Sequence, residues 1–248
     1  MAFCTLQFRS PALIKACSMN VIFPDDKEGP FPVFYLLHGL SDDHSIWMRR
    51  TSIERYVQDL PIIVVMPDGG RSFYCDAVEG PAYENHIIQD VIAFTDRIFN
   101  TLPTREGRVI GGLSMGGYGA LKLALKYPNL FCSAVSHSGA LGITKVKPKN
   151  VRQDMRVEFP QIFGTNPFGG KDCLYKLAET VDKDQLPALR IDCGTEDSLV
   201  QANRDYHAHL NQLDIPHEYE EFPGAHTWDY WDVHVQEAIT FHRKALNI

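Results

Sequence analysis

Long apolar runs are the first thing this 248-residue chain lacks. No stretch approaches the roughly 20 residues that a transmembrane helix needs, so no membrane partner is expected. Positive charge is also scarce: 24 Lys and Arg stand against 31 Asp and Glu, for a formal net charge of −7. Without a basic cluster of the kind that grips phosphates, this balance argues against a nucleic-acid partner. The first 23 residues (MAFCTLQFRSPALIKACSMNVIF) carry no basic segment followed by an unbroken apolar one. A secretion signal is therefore not expected, and a cytoplasmic location is. The six cysteines (Cys4, Cys17, Cys75, Cys132, Cys173, Cys193) are dispersed, with no C-x-x-C spacing, and free thiols are expected. A chain of this length buries enough apolar surface to need neither a disulfide nor a metal staple. Internal repeats, low-complexity tracts and an inter-domain linker are absent too, which leaves a single domain over residues 1–248.

Short apolar runs alternating with amphipathic segments are what the chain does have. Residues 2–9 and 13–23 partly alternate apolar and polar side chains and read as strands. Residues 31–37, 62–66, 108–113, 134–136, 189–193 and 217–222 follow as further strands. The first three of these six are nearly continuous apolar runs, as in strands covered on both faces. Helices are expected between them: residues 83–102, with Ile87, Val91, Phe94, Ile98 and Leu102 on one stripe, then 118–126, 200–213 and 228–246. This rhythm predicts an α/β fold, a mostly parallel central sheet flanked by helices. Catalytic loops in such folds gather beyond the carboxyl ends of the strands.

Between strand 108–113 and its following helix lies Gly112-Leu113-Ser114-Met115-Gly116, a G-x-S-x-G motif. A serine hydroxyl is a poor nucleophile and must be presented clear of its surroundings, beside a base. A sharp strand-to-helix turn does this for Ser114, with Gly112, Gly116 and Gly117 letting two backbone segments pass closely. The same turn sets the Met115 N–H at a helix start, where it can bind developing negative charge. A plain Gly-rich turn with an exposed serine is the alternative.

A serine nucleophile needs a base, and the base needs an acid to hold its tautomer. Behind a G-x-S-x-G elbow the chain order is Ser, then Asp or Glu, then His. The strand at 189–193 runs into Gly194-Thr195-Glu196-Asp197, which offers Asp197 as the acid. Glu196 is its understudy, and capping the next helix is the competing role for Asp197. Of ten histidines, only His226 lies in a Gly-containing loop after the last strand and before the last helix. His207, His209, His234 and His242 fall inside helices. His207 and His209, two residues apart, share no helical face, and no metal or cofactor is expected. The second oxyanion donor should follow an earlier strand, and Leu37-His38-Gly39-Leu40 supplies it through the Leu40 N–H. His38 itself reads as structural.

One stretch breaks the alternation. Residues 141–187 are far longer than an ordinary connection. They carry Lys145, Lys147, Lys149 and Arg152, then Phe159, Phe163 and Phe168, with Gly169-Gly170 as a hinge-like pair. The expectation is a cap inserted over the site, its three phenylalanines limiting acyl length. A surface excursion packed on the body is the alternative.

Six segments carry a family resemblance: YLLHGL at 35–40, HSIWMRRTSIERY at 44–56, MPDGGRSFY at 66–74, GGLSMGGYGA at 111–120, CGTEDSLV at 193–200 and PGAHTWDYW at 223–231. Together they resemble the esterase D-like family of α/β-hydrolases, and most of all its tributyrin esterase and acetylesterase branch. The resemblance implies an α/β-hydrolase fold and hydrolysis of short acyl esters through an acyl-serine, without metal or cofactor. It places the nucleophile on Ser114, the acid on Asp197, the base on His226 and the oxyanion amides on Leu40 and Met115. Gly39, Trp47, Phe73, Tyr74 and Trp228 are candidates for the substrate pocket, with core packing the alternative for the aromatics. Other branches include S-formylglutathione hydrolases, feruloyl esterases and mycolyl-transferring antigens. The partner implied is a small-molecule ester, acetylated sugars among the candidates. A homo-oligomer is compatible with the sequence, as is a non-catalytic binding protein built on the same fold.

Overall fold

In the computed structural model, which describes residues 1–248 apart from the side chain of Pro148, the apolar runs become one eight-stranded sheet. The strands are β1 (Ala2–Ser10), β2 (Lys15–Phe23), β3 (Val33–Leu37), β4 (Ile63–Pro67), β5 (Arg108–Leu113), β6 (Ser133–His137), β7 (Ala188–Gly194) and β8 (Glu218–Phe222). They lie in the order β1-β2-β4-β3-β5-β6-β7-β8. β1 and β2 form an antiparallel hairpin and β2 runs antiparallel to β4, whereas all six strands from β4 to β8 pair in parallel. This is the mostly parallel, helix-flanked sheet that the alternation predicts, and it fits the α/β-hydrolase fold that the family resemblance implies.

β3, β4 and β5 are buried along their whole length because helices cover both faces. Alternate residues serve alternate cores. Phe34 and Leu36 of β3 face α1 (Ile46–Arg50), α2 (Ile53–Val57) and α9 (Trp228–Leu246), packing with Trp47, Val57 and Val235. Val33, Tyr35 and Leu37 face the opposite core, where α5 (Met115–Lys126) and α8 (Val200–Gln212) contribute Tyr118, Leu121 and Tyr206.

The expected helix over 83–102 is three pieces. α3 (Tyr83–Asn85) runs into a π-helical stretch, His86–Val91, and then into α4 (Ile92–Ile98). The chain leaves the helix at Phe99, which is extended, and the Leu102 N–H donates to the Phe31 carbonyl at 2.7 Å, beside the start of β3. Pro103 reinforces this by disfavouring helical backbone at the residue before it. α1 and α2 have five residues each, too few for a 3.6-residue period to show. No helix is long and apolar enough to cross a membrane among the described residues.

Residues 141–187 fold as short 3-10 turns followed by α6 (Glu158–Phe163) and α7 (Leu174–Thr180). Val151, Met155, Phe159 and Leu174 join the same core as α5. Arg71, in the loop after β4, ties the stretch down. Its guanidinium donates to both Glu158 oxygens at 2.9–3.0 Å and to Asp154 at 3.3 Å.

Candidate active site

Ser114 sits between β5 and α5 with φ +54° and ψ −113°. A non-glycine residue pays about 1–3 kcal/mol for such backbone, and persists there only when the surroundings enforce it. They do so by close approach. A Cβ on Gly112 would lie 2.6 Å from the Leu37 carbonyl oxygen, and one on Gly116 would lie 2.5 Å from the same atom. The Ser114 N–H is anchored on the His137 carbonyl at 2.9 Å.

The loops after β7 and β8 bring the other two residues to it. His226 Nε2 lies 3.0 Å from Ser114 Oγ, and His226 Nδ1 lies 2.8 Å from Asp197 Oδ2. An ionised carboxylate only accepts, so Nδ1 carries the proton and Nε2 is left to accept from the serine hydroxyl. Asp197 divides its oxygens. Oδ1 accepts the Leu199 N–H at 2.7 Å, ordering the turn into α8, while Oδ2 holds His226. The capping role and the His-pairing role therefore coexist. Burial pushes the Asp197 carboxyl up, but hydrogen bonds from His226 and the Leu199 N–H outweigh it and hold the group below its ordinary value. Glu196 turns the other way, accepting from Thr195 Oγ1 at 2.8 Å and from the Gly224 N–H. Only Asp197 of the adjacent pair reaches the histidine.

The two amides assigned to the oxyanion are aimed by their own peptide groups. In a trans peptide the C=O and the following N–H point in opposite directions. The Gly39 carbonyl faces His38 Nδ1 at 2.7 Å, while His38 Nε2 accepts the Gly69 N–H at 2.8 Å. With Nε2 an acceptor, Nδ1 is the donor, and the Leu40 N–H is turned away from His38. Similarly, the Ser114 carbonyl accepts from the Tyr118 and Ala140 N–H groups at 3.1 and 3.0 Å, which turns the Met115 N–H away. Leu40 and Met115 both line the cleft that Ser114 and His226 line.

That cleft, of about 290 Å³, is walled mainly by Phe73, Ile143, Val146, Val151, Met155 and Leu199. Several sequence expectations are corrected here. Phe159 and Phe163 are buried, packed in a tilted pair at 5.0 Å, with Phe163 against Phe73 at 5.4 Å, and neither lines the cleft. Phe168 is 55% exposed and borders a separate hollow. The stretch 141–187 meets the cleft through Ile143, Val146, Val151 and Met155 instead, because only its first part passes over Ser114. Trp47 is not a pocket residue either. It is 1% exposed and its Nε1 donates to the Leu37 carbonyl at 3.1 Å, fixing the end of β3 just before the oxyanion loop. Trp228 packs edge-on against Trp47 and Trp231 at 5.3 and 5.2 Å, outside the cleft. Gly39 does not line it; a Cβ there would meet Leu113 and Asp42 at 2.8 and 2.9 Å, so its place is the tight turn. Of the tyrosines, Tyr74 is wholly buried and donates to the His38 carbonyl at 2.9 Å.

Two supporting clusters went unread in the sequence. Lys122, in the helix after Ser114, looks like a solvated lysine in LKLALK but is fully buried. Its ammonium donates to the Tyr74 carbonyl at 2.5 Å and to Glu84 at 2.6 Å, bracing the loop that carries Phe73. Burial pushes the Glu84 carboxyl up, yet Lys122, Lys126 and Tyr127 outweigh it and hold it at about 2. The second cluster is a buried pair, His137 with Asp192, whose Nδ1–oxygen distances are 3.0 and 2.8 Å. Tyr230 donates to the same carboxylate at 3.1 Å. Its only sequence signal is strand register, since Leu113, His137 and Asp192 are direct neighbours across β5, β6 and β7.

Comparison with known proteins gives the family and the fold. The family model described as "Putative esterase" matches residues 10–242. An acetyl esterase of Caldicellulosiruptor saccharolyticus is 32% identical, over 98% of this chain and 99% of that one. Among solved structures, the substrate-bound fluorophosphonate-binding serine hydrolase F of Staphylococcus aureus superposes with a TM-score of 0.87 at 32% identity, covering 97% of this chain and 98% of that one. An S-formylglutathione hydrolase from the same organism, in its apoenzyme form, gives 0.86 at 31% identity over the same shares.

Proposed function

Since the chain belongs to that esterase family and is an α/β-hydrolase enzyme, we propose that it cleaves short-chain acyl esters, acetyl to butyryl, through an acyl-serine intermediate. The observation that carries this reading is one imidazole bridging a serine and a carboxylate, at 3.0 and 2.8 Å, beside two aimed amides. His226 Nε2 takes the proton from Ser114 Oγ as the oxygen attacks the ester carbon. The Leu40 and Met115 N–H groups hold the oxyanion, and Asp197 stabilises the imidazolium. As the tetrahedral species collapses, the C–O bond to the alcohol breaks and His226 returns the proton to the leaving oxygen. Water then gives its proton to His226 as it attacks the acyl-serine; the bond from the acyl carbon to Ser114 Oγ breaks, His226 returns the proton to Oγ, and the carboxylic acid departs.

Support for a short acyl limit comes from the cleft walls. Val151 and Met155 are buried and leave a small apolar volume beside Ser114, where each extra methylene is worth about 1–3 kcal/mol of discrimination. Acetylated sugars fit the acetyl end of this range. The likeness to an S-formylglutathione hydrolase favours one second reading, thioester cleavage by the same residues. A panel of p-nitrophenyl esters from acetyl to octanoyl, with S-formylglutathione alongside, tests both. The expected result is a kcat/KM maximum at two to four acyl carbons that exceeds the thioester value. A maximum at eight carbons would defeat the short-chain reading, and a larger value for the thioester would favour the second.

A further inference from the structure

The charge around the cleft is opposite in sign to the charge of the chain. Between residues 145 and 158 there are five cations (Lys145, Lys147, Lys149, Arg152, Arg156) and two carboxylates (Asp154, Glu158), in a chain of net charge −7. Among the residues lining the cleft Arg152 is the cation and no carboxylate appears. Next to it lies a hollow of about 390 Å³ that shares Val146 with the cleft and is bordered by Lys145, Lys147, Asn166 and Phe168. It too has no carboxylate in its wall.

The carboxylates nearby are already engaged. Glu158 is held by both contacts from Arg71 Nε, at 3.0 and 2.9 Å. Asp154 is shared: Arg152 donates to its two oxygens at 3.0 Å each, and Arg71 reaches one of the same oxygens at 3.3 Å. One carboxylate thus serves two guanidiniums. The Arg152 side chain is 76% exposed and is among the residues lining the cleft. Lys145 lies over the Tyr175 ring, 3.4 Å from its centroid, and Lys147 is exposed.

From this we infer that Arg152 and Lys147 form a subsite for an anionic group on the alcohol side of the ester. The inference rests on the esterase reading. A short acyl chain is enclosed beside Val151 and Met155, so the part of a substrate that protrudes to the mouth is the alcohol. A carboxylate there meets Arg152 in the cleft and Lys147 in the adjoining hollow, while the cationic rim raises the local concentration of anions against an otherwise repelling surface.

The test compares 3-acetoxybenzoate with its neutral carboxamide, 3-acetoxybenzamide, by kcat/KM on the full chain. The ratio of the two values is measured for the wild type, Arg152→Lys, Arg152→Gln and the Arg152→Gln/Lys147→Gln double variant, so that intrinsic leaving-group reactivity cancels. The wild-type ratio should exceed that of the double variant by about three- to tenfold, the size expected of exposed charge pairs. Arg152→Lys should keep most of the preference, which separates charge from any loosening of the Arg152–Asp154 contact. Raising ionic strength from 0.02 to 0.5 M should shrink the wild-type ratio, since screening acts on exposed charge. Identical ratios in all four proteins, or a wild-type ratio indifferent to salt, would overturn the inference while leaving the esterase reading standing. Failure of the wild type to cleave either ester faster than Ser114→Ala would overturn the esterase reading itself.

Discussion

Two histidine–aspartate pairs flank Ser114, and they differ in everything except their chemistry. His226 and Asp197 come from loops, and the histidine side chain is 30% exposed with Nε2 on the serine. His137 and Asp192 come from neighbouring strands, neither is exposed, and His137 Nε2 is buried with no partner among the described residues. What the proton can reach separates them. A second nitrogen directed at a nucleophile in a cleft can pass a proton on, whereas one sealed under the elbow can only hold the sheet. The His137 carbonyl anchors the Ser114 N–H, so the strand pair supports the position that the loop pair faces.

Removing the nucleophile breaks the contrast most completely. Ser114→Ala and His226→Ala should each lower kcat on p-nitrophenyl acetate by about four orders of magnitude or more, with an unchanged melting profile. Turnover within tenfold of wild type in either folded variant would defeat the mechanism. Asp197→Asn should follow, with kcat down by up to about 10⁴-fold, because an amide can donate to Nδ1 and favour the wrong tautomer.

The other pair should respond in stability. Asp192→Ala leaves His137 and Tyr230 without their shared acceptor, and breaking a buried pair in this way costs about 3–5 kcal/mol. A large fall in Tm is expected, with kcat per folded molecule still far above that of Ser114→Ala. Activity lost as completely as in Ser114→Ala, at unchanged Tm, would mean the roles of the two pairs had been misjudged.

Acid sharpens the distinction between sealed and accessible histidines. Burial pushes His86 down to about 4 and His242 down to about 3, so both are neutral in the fold. The unfolded chain binds those protons near the ordinary histidine value of about 6.5. Below that pH the unfolded state gains protons that the fold refuses, and stability falls progressively toward pH 4. Melting curves from pH 8 to pH 5 should show a flat Tm followed by a decline, and a Tm that rises into acid would contradict this. The smallest effect is expected at the neighbouring carboxylate: Glu196→Gln should change kcat/KM by no more than about threefold. A loss matching that of Asp197→Asn would transfer the acid's role to Glu196.

The parts of this site that were legible in the sequence are those set by chain order and local chemistry. β3, β4 and β5 announce themselves as nearly continuous apolar runs, the elbow as glycines around a serine, and Asp197 and His226 by following the last strands in sequence. The pocket wall was not legible. Residues 141–187 have no period, so aromatic content drew attention to Phe159, Phe163 and Phe168, while smaller side chains earlier in the stretch do the enclosing. Trp47 misled for a related reason: a large aromatic near the oxyanion loop looks like a wall, yet its indole N–H is spent on the Leu37 carbonyl. The His137–Asp192 pair depends on a register 55 residues apart, which no local pattern encodes.

The two pinned carbonyls have an energetic meaning. Water around a nascent alkoxide must rotate its dipoles to meet the charge, and that rotation is part of the barrier in solution. In the mechanism we propose, His38, Tyr118 and Ala140 have already fixed the peptide planes that present Leu40 and Met115, so the reorganisation is completed during folding. In that mechanism the protein acts at this spot as a frozen solvent, polarised for a species that exists only fleetingly.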